Sequence, residues 1–268
     1  MKRIEQIASQ RPTTFGFMIT FIFILMLIIS AILGNLWHDQ ESYGQPGAIL
    51  GRAISTIVML MSLSYLGWTQ SAGFTTPGRV SVWIITIFLL TYSILASSYA
   101  FKGSLDALFP ITGIPFLITI FIAVAAFMEE AVFRGLILHT FIHTLGTKRA
   151  GTIKGVVISS LLFSSIHLLD FLSGRPLSAV LLQSLNAFLL DIVLASLVLI
   201  GKSIYPAVFF HGFLNLAGYL NLSSNATVST ASSWLLLSTL TLPIAIFGFY
   251  LLINLPNKSV QASKIYSS

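Results

Sequence analysis

Long apolar runs separated by short polar segments dominate the pattern along the chain. A transmembrane α-helix needs roughly 17–25 consecutive, mostly apolar residues. Runs of about that length can be laid out eight times, at about residues 14–36, 53–68, 80–100, 111–130, 155–171, 178–200, 205–221 and 234–255. The pattern therefore predicts an all-α polytopic membrane bundle of about eight transmembrane helices, organised as a single integral membrane domain over residues 1–268.

The basic residues support this layout. If the N-terminus is cytoplasmic, the inner segments hold ten lysines and arginines: Lys2, Arg3, Arg11, Arg79, Lys148, Arg149, Lys154, Lys202, Lys258 and Lys264. The outer segments hold three, Arg52, Lys102 and Arg175, while Arg134 falls inside a span. Cytoplasmic loops of membrane proteins carry the excess of Lys and Arg. We therefore expect both termini to be cytoplasmic.

Composition agrees with a membrane location. The chain is 56% hydrophobic and 8% charged, with a mean hydropathy of +0.92, whereas soluble domains carry about 25% charged residues. The net charge of +6 is scattered through short segments, so it indicates membrane topology rather than a nucleic-acid partner. With no cysteine present, disulfides, thiolate metal sites and cysteine nucleophiles are excluded.

Three charges interrupt the fourth apolar run, at Glu129, Glu130 and Arg134. Each charge at membrane depth costs at least ~2.5–3.5 kcal/mol on insertion scales, so such residues usually have a function. Glu130 and Arg134 are four residues apart and can form a pair on one helix face. Glu129 lies ~100° further round the helix. We expect it to find its partner on another helix.

Suitable partners lie in two later runs. His167 follows Phe163 by four residues, and Asn215 follows His211 by four. A glutamate can take a proton from water, a histidine can orient that water, and His or Asn N–H groups can hold an oxyanion. The set suits hydrolysis. The same residues could instead bind zinc, although the His-Glu-x-x-His spacing of helical zinc proteases is missing.

The sixth run contains a polar stripe of Gln183, Asn186 and Asp191. Intramembrane polar residues pair with one another, line cavities or bind ions. We expect a structural or cavity-lining role for this stripe, with ion binding as the alternative.

Three ordered motifs carry a family resemblance. They are Glu129-Glu130-x-x-x-Arg134, Phe163-x-x-x-His167 and His211-x-x-x-Asn215, flanked by Phe133-Arg134-Gly135 and Tyr205-Pro206-Ala207. Together they resemble the CPBP intramembrane proteases, which include CAAX prenyl endopeptidases and bacteriocin-processing and immunity (Abi-like) proteins. The resemblance covers about residues 110–220, which would form the catalytic core.

The resemblance implies a glutamate-dependent endopeptidase open toward the cytoplasm, cleaving a membrane-anchored protein or peptide near the cytoplasmic leaflet. By motif position, Glu129 would be the general base and His167 its assistant. His211 and Asn215 would stabilise the oxyanion, and Glu130 and Arg134 would support the site. It also implies hydrolysis without a metal cofactor. We expect a multi-pass protein of the cell membrane, in a bacterium the plasma membrane.

Two other functions fit the same sequence. A non-catalytic regulatory or immunity protein could use the scaffold to control a partner in the membrane. An ion-coupled transporter could use the intramembrane carboxylates as relays, although no inverted repeat or pair of broken helices is evident.

Overall fold

The computed structural model describes residues 3–35, 46–101, 116–146, 148–224 and 230–255, and every regular element in these ranges is helical. The α-helices are α1 (Arg3–Gln10), α2 (Pro12–Asn35), α3 (Pro46–Leu66), α4 (Val80–Ala100), α5 (Phe116–Glu130), α6 (His139–Leu145), α7 (Arg149–Ile166), α8 (Leu177–Gly201), α9 (Tyr205–Ser224) and α10 (Ala231–Ile253). A π-helical segment, Ala131–Leu138, joins α5 to α6, and a 3₁₀ segment, His167–Ser173, extends α7.

Within the described residues, seven helical stretches are long and apolar enough to cross a membrane: Pro12–Ser30, Gly47–Leu66, Val80–Ala100, Phe116–Leu145, Arg149–Ser173, Leu177–Gly201 and Ala231–Ile253. The predicted all-helical membrane bundle is confirmed, but the count is seven rather than eight. The helix that falls outside the seven is α9, where His211 and Asn215 interrupt the apolar run.

The fourth span differs most from the prediction, which ended it at residue 130. The helical stretch continues to Leu145, because Glu130 and Arg134 contact each other inside it and need not reach the membrane surface. Glu129 consequently lies in the middle of this span. The π-helical geometry begins directly after Glu130, and the His139 N–H donates to the Arg134 carbonyl five residues earlier. Such segments inside α-helices frequently mark functional sites.

The helices pack around α8, the most buried of the seven spans. It packs against α7, α9 and α10, while α5 packs against α3 and α9. Large apolar side chains such as Phe21, Met61 and Phe88 point outward, as expected where lipid is the solvent. Close helix contacts use small residues: a Cβ at Gly51 would lie 2.8 Å from the Ser30 Cα.

Candidate active site

A group of buried charges joins three elements at the centre of the bundle. Arg134 Nε lies 3.0 Å from Glu130 Oε2, and Arg134 Nη2 lies 2.7 Å from Asp191 Oδ1. Ser160 donates its hydroxyl to Asp191 Oδ2 at 2.7 Å. All three charged side chains are 0% exposed. We call Glu130, Arg134, Asp191 and Ser160 the buried charge cluster.

The buried charge cluster bears on two expectations that were drawn from the sequence. The i, i+4 pair of Glu130 and Arg134 forms as the spacing predicts. Asp191 has a structural position: it pairs with Arg134 and does not line the cavity. The polar stripe on α8 therefore divides, because Gln183 and Asn186 do line the cavity. Two buried carboxylates share one guanidinium, an arrangement that Arg suits because its planar group offers five donors.

His211 connects the buried charge cluster to the second carboxylate. Its Nδ1 lies 2.7 Å from Glu130 Oε1, and its Nε2 lies 3.6 Å from Glu129 Oε2. The first distance is a hydrogen bond and the second is longer than one. We expected only Glu129 to have a partner on another helix. The structure corrects this, because Glu130 makes the closer contact with α9.

A cavity of about 910 Å³ begins beside these residues and is lined by Glu129, His167, His211 and Asn215. Phe163 separates the two histidine rings. Its ring centre lies 5.4 Å from that of His167 and 5.8 Å from that of His211, both in edge-to-face geometry. The four residues named as catalytic candidates from the sequence are thus brought to one cavity, from α5, the 3₁₀ segment and α9.

Phe163 also forms the floor between the cavity and the cluster. It is 3% exposed, and the Arg134 guanidinium lies over its ring at 4.9 Å from the centroid. A cation over an aromatic face is stabilised by the ring quadrupole. The motif Phe-x-x-x-His therefore places one residue against the cluster and one in the cavity.

A polar chain holds His167 from the other side. Gln183 Nε2 donates to Asp170 Oδ2 at 2.8 Å and lies 3.3 Å from His167 Nδ1. Arg175 Nη1 donates to Gln183 Oε1 and, at 2.8 Å, to Asp170 Oδ2. The Gln183 carbonyl oxygen therefore faces Arg175, and its amide nitrogen faces the imidazole. All four side chains line the cavity.

Sequence reasoning missed Asp170 and Arg175 as neighbours of the site. Asp170 follows His167 by three residues, a spacing that puts both on one side of a helical turn. That signal was available. No comparable sequence signal marked Arg175, because a basic residue in a short segment between spans is interpreted as an indicator of membrane topology.

The zinc alternative concerns the carboxylate and imidazole side chains that line the cavity. Across the described part of the chain, no three or more His, Asp or Glu side chains come together in a way that could hold a metal. His211 Nδ1 is already occupied by Glu130, and Glu130 is occupied by Arg134.

Comparison with known families supports the class of protein that this site suggests. Residues 111–217 match the family model described as type II CAAX prenyl endopeptidase Rce1-like. The match includes all three motifs, and it confirms the resemblance over that part of the chain. Over these residues the chain is similar to CAAX-type proteases, and its described part contains seven helical stretches that could cross a membrane. No curated protein matches the chain.

Proposed function

We propose that this protein is an intramembrane endopeptidase in which Glu129 activates water. One observation carries the proposal. Of the two adjacent carboxylates, Glu129 is 14% exposed and lines the cavity, whereas Glu130 is 0% exposed and already contacts Arg134 and His211. A general base must reach the proton that it removes. Only Glu129 can reach water.

The reaction is hydrolysis of a peptide bond. Glu129 takes a proton from water, and the water oxygen attacks the scissile carbonyl carbon. The C=O electron pair moves onto the oxygen, which becomes an oxyanion facing N–H donors. When the tetrahedral intermediate collapses, the C–N bond breaks and the proton held by Glu129 passes to the leaving nitrogen. The products are a carboxylate and an amine.

His167 is suited to orient the attacking water. Because Gln183 presents its amide N–H to His167 Nδ1 at 3.3 Å, that nitrogen accepts and the ring proton lies on Nε2. An Nε2–H in the cavity can donate to the water oxygen while Glu129 accepts from the same water. The two groups then define the position of the nucleophile.

His211 and Asn215 are suited to stabilise the oxyanion. The carboxylate of Glu130 only accepts, so His211 Nδ1 carries a proton. Within the buried charge cluster, two carboxylates face one arginine, and a doubly protonated His211 would balance them. It would then also present Nε2–H to the cavity. Asn215 lies one helical turn further along the same wall and adds an amide donor.

The substrate and setting follow from the resemblance rather than from the contacts. We propose a membrane-associated protein or peptide as substrate, hydrolysis without a metal cofactor, and residence in a cell membrane, in a bacterium the plasma membrane. The lipid bilayer is the other partner, and no nucleic acid is involved. Peptide maturation or bacteriocin self-immunity would be biological roles for such an enzyme.

The test compares wild-type and Glu129→Gln protein by mass spectrometry of membrane peptides. Peptides ending at new termini should accumulate with the wild type and be lost in the variant. Glu5→Gln makes the same chemical change on the short α1 helix and should leave the products unchanged. Exhaustive chelation should not reduce them either; if chelation abolishes them, the metal-independent mechanism is wrong.

The same variants separate the rival functions. A folded Glu129→Gln protein that retains the cellular function and yields the same peptides would contradict the protease proposal and favour a regulatory protein. Uptake or efflux by purified protein in liposomes, lost in Glu129→Gln, would favour a transporter.

A further inference from the structure

The segment between α3 and α4, residues 67–79, also binds the turn that precedes α9. We call it the α3–α4 segment. Ser203 donates its hydroxyl to the Thr76 carbonyl at 2.7 Å, and the Ile204 backbone N–H donates to the Gly73 carbonyl at 3.1 Å. Because α9 begins directly after Ile204, these bonds fix the start of the helix that carries two of the four candidate catalytic residues.

The close approach of the two backbones depends on Gly73. Its φ angle is +86°, and an added Cβ would lie 2.9 Å from the Ser203 Cα. Glycine adopts such positive φ angles readily because it has no Cβ. A side chain at this position would be strained and would push the α3–α4 segment away from the turn. The contact therefore requires a glycine at position 73.

Phe74, the next residue, extends this contact to the helix that carries the glutamates. Its carbonyl accepts the Tyr205 hydroxyl of α9 at 2.8 Å. Its ring centre lies 6.2 Å from that of Phe127, two residues before Glu129, in edge-to-face geometry. An added Cβ at Gly135 would lie 3.0 Å from the ring. Phe74 thus contacts α9 through its backbone, and α5 and the π-helical segment through its side chain.

These contacts give a structural reason for the sequences that flank the site motifs, Phe133-Arg134-Gly135 and Tyr205-Pro206-Ala207. Both flanks lie in the described part of the chain, and neither contributes a residue to the cavity lining. Gly135 leaves the space that the Phe74 ring occupies, and Tyr205 supplies the hydroxyl that the Phe74 carbonyl accepts. Both flanks therefore meet at Phe74.

The alignment of α9 with α5 determines the geometry of the site. His211 Nδ1 lies 2.7 Å from Glu130 Oε1, and His211 Nε2 lies 3.6 Å from Glu129 Oε2. These distances join the two helices directly. A misplacement of about 1 Å can reduce a catalysed rate about 10²-fold. Contacts that hold the two helices in register consequently affect the rate even when they lie outside the cavity.

We propose that Phe74 is a positioning residue, which aligns α9 with α5 so that His211 faces Glu129 and Glu130 at the distances that hydrolysis requires. The effect on hydrolysis rests on the proposed function. The alignment of the two helices depends only on the contacts of Phe74, and it is measured separately.

The first test measures this alignment with the paired substitutions Ala126→Cys and Gly212→Cys. An added Cβ at Gly212 lies 3.7 Å from the Ala126 Cβ, within the range of about 3.5–4.5 Å that disulfides require. The two positions are close in sequence to Glu129 and His211, and the natural chain has no cysteine. Equilibration of the purified protein in glutathione buffers gives the effective concentration of one thiol at the other.

Two variants remove the contacts of Phe74 in this paired-cysteine chain. Tyr205→Phe should lower the effective concentration about three- to tenfold, the usual loss for one hydrogen bond, and Phe74→Ala should lower it at least as much. Tyr92→Phe is the control, because the Tyr92 hydroxyl donates to the Leu240 carbonyl at the same 2.8 Å but joins α4 to α10. Unchanged values in the first two variants, or an equal fall in the control, would overturn the proposal.

The second test measures hydrolysis in the cysteine-free chain. Phe74→Ala and Tyr205→Phe should lower kcat and leave KM nearly unchanged, since neither residue lines the cavity. Tyr92→Phe should leave both unchanged, although it loses a hydrogen bond of the same kind. An unaltered kcat in variants whose helices are misaligned would overturn the positioning role. If the natural chain hydrolyses no peptide, the proposed function is wrong, and the thiol measurements still decide whether Phe74 aligns the helices.

Discussion

Two neighbouring regions of the molecule differ in how far their charged side chains are buried and how closely they are paired. In the buried charge cluster, Glu130, Arg134 and Asp191 are inaccessible and contact one another at 2.7–3.0 Å. In the cavity, the ion pair of Glu129 within the described part of the chain is a longer contact, with His211 Nε2 at 3.6 Å. Glu129 and Glu130 are adjacent in sequence, so only the direction of the side chain separates them. The first region supports the structure, and the second is available for chemistry.

The largest expected effect tests this contrast within one residue pair. Glu129→Gln should reduce hydrolysis about 10²–10⁴-fold, the usual contribution of a general base, with little change in the free energy of unfolding. Glu130→Gln should lower the unfolding free energy, because Arg134 and His211 lose a buried ionic partner. Product formation and denaturation in detergent are measured for both. Equal destabilisation by the two variants would remove the distinction.

Arg134→Met should be the most destabilising of the substitutions. It leaves Glu130 and Asp191 buried without their cation, and breaking such a group costs about 3–5 kcal/mol. Arg175→Met is the matched control, since Arg175 is 27% exposed where it pairs with Asp170, and partly exposed pairs contribute at most about 1 kcal/mol. The free energy of unfolding is measured for both. Similar losses would show that the burial of the cluster does not matter.

A smaller effect is expected from the two aspartates. Asp191→Asn should lower the unfolding free energy by about 1–3 kcal/mol, because Arg134 keeps only one buried carboxylate. Asp170→Asn should cost less than about 1 kcal/mol but should reduce the turnover rate, since Asp170 orients Gln183 beside His167. Stability and turnover are measured on the same preparations. If only Asp191→Asn reduced the turnover rate, Asp191 rather than Asp170 would be the aspartate that supports catalysis.

The smallest effect concerns Gln183, a positioning residue. Gln183→Met should lower kcat about tenfold, equivalent to one hydrogen bond of about 1.4 kcal/mol, and should leave KM nearly unchanged. Asn186→Leu is the control, because Asn186 also lines the cavity but accepts from Thr241 instead of contacting His167. Initial rates over a range of substrate concentrations separate kcat from KM. An equal fall in kcat for the control would indicate a general effect on the cavity.

The sequence determined the class of fold and the candidate residues. Apolar runs of spanning length predicted a helical membrane bundle, because the bilayer fixes the length and requires backbone groups to bond internally. The i, i+4 spacing predicted the Glu130–Arg134 pair because residues four apart lie on the same face of a helix. The chemistry-bearing residues stood out because charged and polar side chains are costly among apolar ones.

The tertiary structure decided where the fourth span ends and which residues surround the site, because these depend on contacts between helices distant along the chain. The end of the fourth span was mispredicted because neutralisation of Arg134 depends on Asp191 of α8 and Glu130 together. The bridging position of His211 and the link from Arg175 to His167 also depend on helix packing. Glu129 and Glu130 were therefore identifiable from the sequence, but their surroundings were set by residues distant along the chain.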